Sequence, residues 1–316
     1  MKKISIVTPC YNEEDNVMAL HAAVKNVMSH HAEYMYEHIF IDNGSEDKTR
    51  IILREMASAD KNVKVIFNTR NFGHIRSPMY AYFQATGDAI VSLACDFQDP
   101  VEMIHQFIVA WEAGSKIVIG VRAGTSESKV MSSIRSLYYW LVTKTSHIKL
   151  IKNFTGFGLY DRVVIEAVRD MDDRYPYFRG AICEMGFAIK EIPYFQSKRK
   201  SGVTKNNFYT LFDLAMLGLT THSKVLIRIM TVFGFLLSVL SLLGVVVVLV
   251  SKLLFWKYFS VGIAPIMMIL LFFFSVILFF MGVLGEYVGN IYTQVMKRPL
   301  VYVLEKINFD NEKKNE

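Results

Sequence analysis

From residue 1 to 125 the apolar positions follow two alternating periods. Short apolar runs at Ile4 to Thr8, His38 to Ile41, Val63 to Phe67, Ala89 to Leu93 and Ile117 to Gly120 read as strands. Between them lie segments with helical spacing: 13 to 28, where Val17, Leu20, Val24 and Val27 share a face, then Asp47 to Ala59, Arg76 to Ala85 and Glu102 to Ala113. Regular strand and helix alternation implies an α/β fold, a mainly parallel Rossmann-like sheet with helices on both faces. Beyond residue 205 the pattern changes. Asn207 to Thr221 places Phe208, Leu211, Phe212, Ala215 and Leu219 at helical spacing, as an amphipathic interfacial helix would. Ile229 to Val250 carries no charge, and as a helix it would extend about 33 Å, enough to cross the hydrocarbon core. A second uncharged run from Tyr258 ends at Gly285, before Glu286.

These patterns divide the chain into a soluble domain at 1–205, interfacial helices at 206–227, a transmembrane hairpin at 228–286 with spans at 229–250 and 262–285, and a tail at 287–316. Composition supports the division. Hydrophobic residues make up 52% of the chain, above the soluble norm, while 35 Lys and Arg against 29 Asp and Glu leave a net charge of +6. Disorder and collagen-like repeats are excluded. Cys10, Cys95 and Cys183 form no C-x-x-C pair, so neither a disulfide framework nor a zinc site is indicated. The apolar run before Pro9 is too short for a signal peptide, and Lys224, Arg228, Lys297 and Arg298 at the hairpin base outweigh Lys252 and Lys257 at its tip. The soluble domain and tail are therefore expected on the cytoplasmic side of the inner membrane.

Polar clusters follow four strands: Pro9-Cys10-Tyr11-Asn12-Glu13-Glu14, Asp42-Asn43-Gly44-Ser45-Glu46-Asp47, Asn71-Phe72-Gly73-His74 and Cys95-Asp96-Phe97-Gln98-Asp99-Pro100. Taken singly, the second reads as a turn and helix cap, and Asp99-Pro100 as a cap with proline at the first helical position. Together they point to one cleft, because loops at the carboxyl rim of a parallel sheet converge there.

With Val7 to Glu14, Ile41 to Thr49, Asn71 to Gly73 and Asp96 to Pro100 in view, the chain resembles the inverting family 2 glycosyltransferases of GT-A fold. The segment Gly282 to Tyr292, closing a second apolar run, is similar to the polyprenyl-phosphate glycosyltransferases of the GtrB type. These are the bactoprenol glucosyltransferases, relatives of dolichol-phosphate mannose synthases. The resemblance implies transfer of a hexose, glucose first, from a UDP-sugar to polyprenyl phosphate at the inner leaflet. It further implies a Mg²⁺ or Mn²⁺ cofactor, a homo-oligomer (a tetramer by resemblance), a flippase as functional partner and no nucleic acid.

The same resemblance assigns residues. Pro9, Tyr11, Glu13, Asp42, Asn71, Arg199 and Lys205 would bind the donor nucleotide, with Asp42 accepting from the base. Asp96 would hold the metal with Gln98 beside it. Many members carry a further aspartate where Ala94 stands here, and a hard cation can be held by one carboxylate with substrate phosphates and waters. Apart from the resemblance, Arg122, Arg135 and Arg179 are candidates for holding the acceptor phosphate, since guanidinium can grip phosphate bidentately. Asp161 matches an aspartate often assigned as catalytic base. A phosphate monoester is already mostly ionised at neutral pH, so Asp161 could orient the acceptor instead, or simply cap the helix that follows. Ala94 also motivates an alternative, a catalytically impaired membrane-anchored protein that binds sugar nucleotide or lipid phosphate.

Overall fold

The computed structural model describes residues 1–123, 151–197, 216–217, 225–254 and 263–309. Its elements run β1 (Lys3–Cys10), α1 (Val17–Ser29), β2 (Met35–Asp42), α2 (Thr49–Ala59), β3 (Val63–Asn68), α3 (Gly73–Gln84), β4 (Ala89–Ser92), α4 (Met103–Glu112) and β5 (Ile117–Arg122). There follow β6 (Phe154–Asp161), α5 (Arg162–Asp170), α6 (Phe178–Glu184), β7 (Ile189–Tyr194), α7 (Val225–Leu254), α8 (Ile263–Val295) and β8 (Val303–Ile307). The expected strands and helices of the first 125 residues are all present, shifted at their ends by a few residues.

One eight-stranded sheet has the order β7-β5-β6-β4-β1-β2-β3-β8. β4, β1, β2 and β3 are mutually parallel, and β5 and β7 form a parallel pair. β6 and β8 run antiparallel to their neighbours, so the sheet is mixed, with parallel pairing dominant. Val, Ile and Phe fill both faces of the central strands, as strands covered on two sides require. Ile4, Ile6, Phe40, Val65 and Val91 pack into one core with α1, α2 and α4. Val7, Ile39, Ile41, Ile66 and Ile90 form the other, beneath α3, α5 and α6. After β1 the chain builds outward through β2 and β3, then returns to place β4 on the other side of β1. That reversal is the topological switch point where open α/β sheets bind ligands.

Two sequence-based boundaries need correction. The second long helix does not stop at Gly285 but continues to Val295, and the segment beyond it is no free tail. Val303–Ile307 pairs antiparallel with β3, and Arg54 meets Glu305 at 2.6 Å, so the sheet of the soluble domain is completed from the far end of the chain. Among the described residues one stretch, Phe272–Val295, has the length and apolarity of a membrane crossing, against the two expected. Of the interfacial helix only Met216 and Leu217 fall within the described residues.

Candidate active site

A cleft of about 380 Å³ opens at the switch point, over the carboxyl ends of β1 and β4. Pro9 from β1, Ser92 at the end of β4 with Leu93, Ala94 and Asp96 beyond it, and Arg122 from the end of β5 line it. Gln98, Asp99, Arg179 and the start of β6 complete the walls. Phe97 has φ +56°, a left-handed conformation unusual for a bulky residue, as it passes between Asp96 and Gln98. The turn is closed by the Gln98 amide donating to Asp96 Oδ1 at 3.2 Å, which leaves both residues in the cleft wall. Ala94 also lines the cleft, so a methyl group stands where a second carboxylate is usual.

The rim loops brace one another. Asn12, at φ +55°, donates its amide to Ser45 and accepts from the Glu46 amide at 2.9 Å, while the Glu13 amide donates to Thr49 Oγ1. Asn43 Nδ2 donates to Asn71 Oδ1 at 2.9 Å, and Asn43 Oδ1 accepts from the Phe72 amide and from Asn68. Gly44 is required at this crossing. Its φ is +85°, and a Cβ there would lie 2.8 Å from the Arg70 carbonyl carbon. Glu13 and Asn71 thus belong to a preorganised rim beside the cleft, and Tyr11 lies in the same loop, between Cys10 and Asn12.

Asp42 is not among the residues that line the cleft. Its side chain is fully buried and accepts Arg50 Nε at 2.7 Å together with the amides of Gly44 and Ser45. The expectation that it reads a nucleobase is therefore corrected: its oxygens are taken up in folding the loop. Asp161 is displaced further. It ends β6 opposite Ala89, the first residue of β4, whereas Ser92 at the other end of β4 lines the cleft. Because β6 is antiparallel, its carboxyl end lies on the opposite rim, about 16 Å of strand from Gly156 in the cleft wall. There Asp161 Oδ1 caps α5 through the Val163 amide, and Oδ2 accepts Trp111 Nε1 at 2.8 Å and Lys116 Nζ at 2.9 Å. Burial opposes its ionisation, but these donors prevail and lower its pKa. The role as catalytic base is corrected to that of a structural cap.

The reading of Asp99 as a helix cap is corrected as well, because α4 begins only at Met103 and Glu102 stands at its N-cap. Asp99 instead accepts the Tyr194 hydroxyl at 2.5 Å, and Arg122 Nε reaches the same hydroxyl at 3.4 Å. Burial raises the pKa of Asp99 despite Tyr194 and Arg122, and Asp96 adds to the rise; burial and Asp99 push Tyr194 up to about 12. His74 also lines the cleft, where desolvation and then the charge of Arg179 lower its pKa and keep it neutral at pH 7. The pairing of Asp99 with Tyr194 has no signal in the sequence, since the two meet across 95 residues of chain. Cys10 and Cys95 are buried with pKa values raised by that burial, which makes them inert thiols. Arg135, Arg199 and Lys205 lie outside the described residues.

Two carboxylates, Asp96 and Asp99, the Gln98 amide and two arginines line a cleft at the carboxyl ends of β1 and β4, the place where open α/β sheets hold their ligands. The chain belongs to glycosyl transferase family 2, whose description matches residues 5–165, about half of its length. It is 31% identical to the SfII prophage-derived bactoprenol glucosyl transferase of Shigella flexneri over 310 residues, covering 98% of this chain and 99% of that protein. It is 32% identical to the glycosyltransferase YkcC of Bacillus subtilis, over 98% of this chain and 95% of that protein. Glucosyl-3-phosphoglycerate synthase from Mycobacterium tuberculosis, solved with Mn²⁺, uridine-diphosphate-glucose and phosphoglyceric acid, aligns with TM-score 0.48 at 16% identity. That alignment covers 70% of this chain and 78% of the other.

Proposed function

We propose that the chain transfers glucose from UDP-glucose to polyprenyl phosphate at the inner leaflet, with inversion at the anomeric carbon. The observation that carries this reading is similarity to bactoprenol glucosyl transferases along essentially the whole chain, long apolar helices included. Pro9, Tyr11, Glu13 and Asn71 would meet the donor from the braced rim, joined by Arg199 and Lys205. Arg122 and Arg179, with Arg135, would hold the acceptor phosphate.

The residues present fit a hard divalent cation. Asp96 and the Gln98 side chain share one wall, while Asp99 is committed to Tyr194. One carboxylate and one amide oxygen, completed by donor phosphates and water, suit Mg²⁺ or Mn²⁺. When bound, the ion would offset charge developing on the departing diphosphate. The acceptor is a phosphate monoester with a second pKa of about 6, already nucleophilic at neutral pH, so the chemistry needs positioning more than a general base. Displacement of Asp161 to the far rim is therefore no obstacle. α7 and α8 would form the two-span hairpin with the sheet on the cytoplasmic side, the protein would work as a homo-oligomer, and a separate flippase would carry the product outward.

Purified full-length protein given UDP-glucose, Mn²⁺ and polyprenyl phosphate should yield a β-linked lipid phosphate glucose, identified by the anomeric coupling in NMR. Asp96→Asn should abolish it. Binding of both substrates without turnover would favour the alternative motivated by Ala94, a membrane-anchored binder. A near-normal rate in Asp96→Asn would sink the metal assignment.

A further inference from the structure

A second and larger pocket, about 570 Å³, lies where α8 meets the underside of the catalytic domain. Arg76 and Arg174 enter it from the domain, and Glu286, Gly289, Thr293 and Arg298 from α8 and its exit. Three arginines thus face one carboxylate, and among the described residues Glu286 forms no ion pair with any of them. Arg174 is already paired with the exposed Asp172 at 2.7 Å, so the excess positive charge rests on Arg76 and Arg298.

Two donors in this pocket lack partners among the described residues. Arg76 Nη2 donates to the Pro299 carbonyl at 2.7 Å, yet its Nε is buried with no acceptor, and Arg174 Nε is in the same state. Buried donors are nearly always hydrogen-bonded, so two left unmade in one pocket point to an acceptor that binds there. Burial, and then the like charges of Arg70 and Arg298, disfavour the cationic form of Arg76, with Tyr175 and Tyr302 opposing them. An anion would relieve that repulsion.

The pocket also opens onto an apolar helix. Gly282, Gly285 and Gly289 recur on one face of α8, and each has open space where a Cβ would stand. Leu284, Val288 and Ile291 beside them are exposed, and all lie within the membrane-crossing stretch. The pocket adjoins the catalytic cleft along two segments of chain. On α3, His74 and Ile75 line the cleft and Arg76 the pocket; from the loop before α6 into its first turn, Arg174 and Tyr175 line the pocket and Pro176 to Arg179 the cleft.

We propose that this pocket binds the phosphate headgroup of a membrane lipid, Arg76, Arg174 and Arg298 holding the phosphate and the glycine face of α8 receiving the chain. The arginine fork suits phosphate oxygens, and a lipid suits the apolar approach better than a soluble anion does. The site stands beside the catalytic cleft and does not depend on which sugar is transferred. The phosphate lipid could be the isoprenoid acceptor, waiting a residue or two from the cleft, or an anionic glycerophospholipid that seats the domain on the membrane.

The test uses full-length protein in phosphatidylcholine nanodiscs doped with either polyprenyl phosphate or phosphatidylglycerol, with retained lipid counted by native mass spectrometry. The double variant Arg76→Gln, Arg298→Gln should retain at least about tenfold less phosphate lipid, because it turns two charge-assisted hydrogen bonds to the phosphate into neutral ones. Selective loss of polyprenyl phosphate identifies an acceptor station, and equal loss of both lipids a general headgroup site. Unchanged retention by a variant that melts like the parent overturns the proposal. Should the double variant not fold, Thr293→Cys supplies the readout: its alkylation by a water-soluble maleimide should slow when a phosphate lipid is added, and an unchanged rate overturns the proposal equally. Arginine-dependent retention without any sugar transfer would sink the proposed function and leave this site standing.

Discussion

Replacing Asp161 separates a structural role from a catalytic one. In Asp161→Ala the cap of α5 is lost, which costs about 1 kcal/mol. The indole N–H of Trp111, a residue only 6% exposed, loses its acceptor at a cost of about 1–3 kcal/mol. The Lys116 pair adds little, because Lys116 is half-exposed and solvent screens it. The three effects share one carboxylate and overlap, so the expected total is about 3 kcal/mol, or about 6–12 °C in Tm for a domain of this size. Asp161→Asn keeps a capping oxygen and should lose roughly a third of that. Thermal unfolding of full-length protein gives the stabilities, and turnover per folded molecule, measured well below the Tm, gives the rate. A structural cap predicts graded destabilisation, alanine worse than asparagine, with near-parental turnover in both variants. A general base predicts the reverse, normal melting with turnover reduced by about 10²–10⁴ in both. The second pattern would refute the placement of Asp161 away from the reaction.

Two further substitutions probe groups with shifted titration. Burial alone would raise the pKa of Glu37, but Lys3, Lys64, Ser5 and the Thr86 amide outweigh it and bring the pKa to about 2. Its folded-state pKa is depressed, so the stabilisation is complete above about pH 4.5 and fades as pH falls through 2. Glu37→Gln should therefore lose about 3 kcal/mol at pH 7 and converge with the parent in acid, and a cost independent of pH would contradict the network. Tyr194→Phe removes the hydrogen bond that restrains the raised pKa of Asp99 while leaving Arg122 in place, so the acid limb of kcat/KM should move to higher pH; an unmoved limb would show that Asp99 does not titrate in the working range.

The parallel half of the sheet is readable because strands covered on both faces are nearly continuous apolar runs. Val63 to Asn68 and Ile117 to Arg122 announce themselves locally. The cleft is readable for the same reason, since Pro9, Asp96 and Gln98 follow parallel strands whose carboxyl ends share a rim. That rule misplaces Asp161. The helix that follows Asp161 is readable and the strand before it is not; strand direction is set by pairing with β4, and in an antiparallel strand the carboxyl end points away from the site. Asp42 and Asp99 show the other limit. A carboxylate at a strand end looks the same in sequence whether it awaits a ligand or is consumed by Arg50 or Tyr194, and only the fold decides. β8 is five residues long and separated from its partner by most of the chain, too little signal to be distinguished from a tail.

That last strand bears on how a soluble cleft serves a lipid. β8 covers the edge of β3 that would otherwise expose unpaired backbone, and Asn308 Nδ2 donates to the carbonyls of Ala57 and Val63 while the Thr69 amide donates to Tyr302. Higher up, the end of α8 is tied to the loop before α6, with Gln294 accepting from the Arg174 amide at 3.0 Å and donating to Asp173 at 2.5 Å. The apolar helix is therefore fastened to the catalytic domain at two separated places rather than by a single flexible linker. Two attachments fix an orientation where one would fix only a distance. A lipid confined to the bilayer cannot search three dimensions for its cleft, so the enzyme must hold the cleft at a constant height and angle. The final strand of the chain supplies one of the two attachments, and the arginine pocket lies at the other, where Arg174 and Thr293 line it.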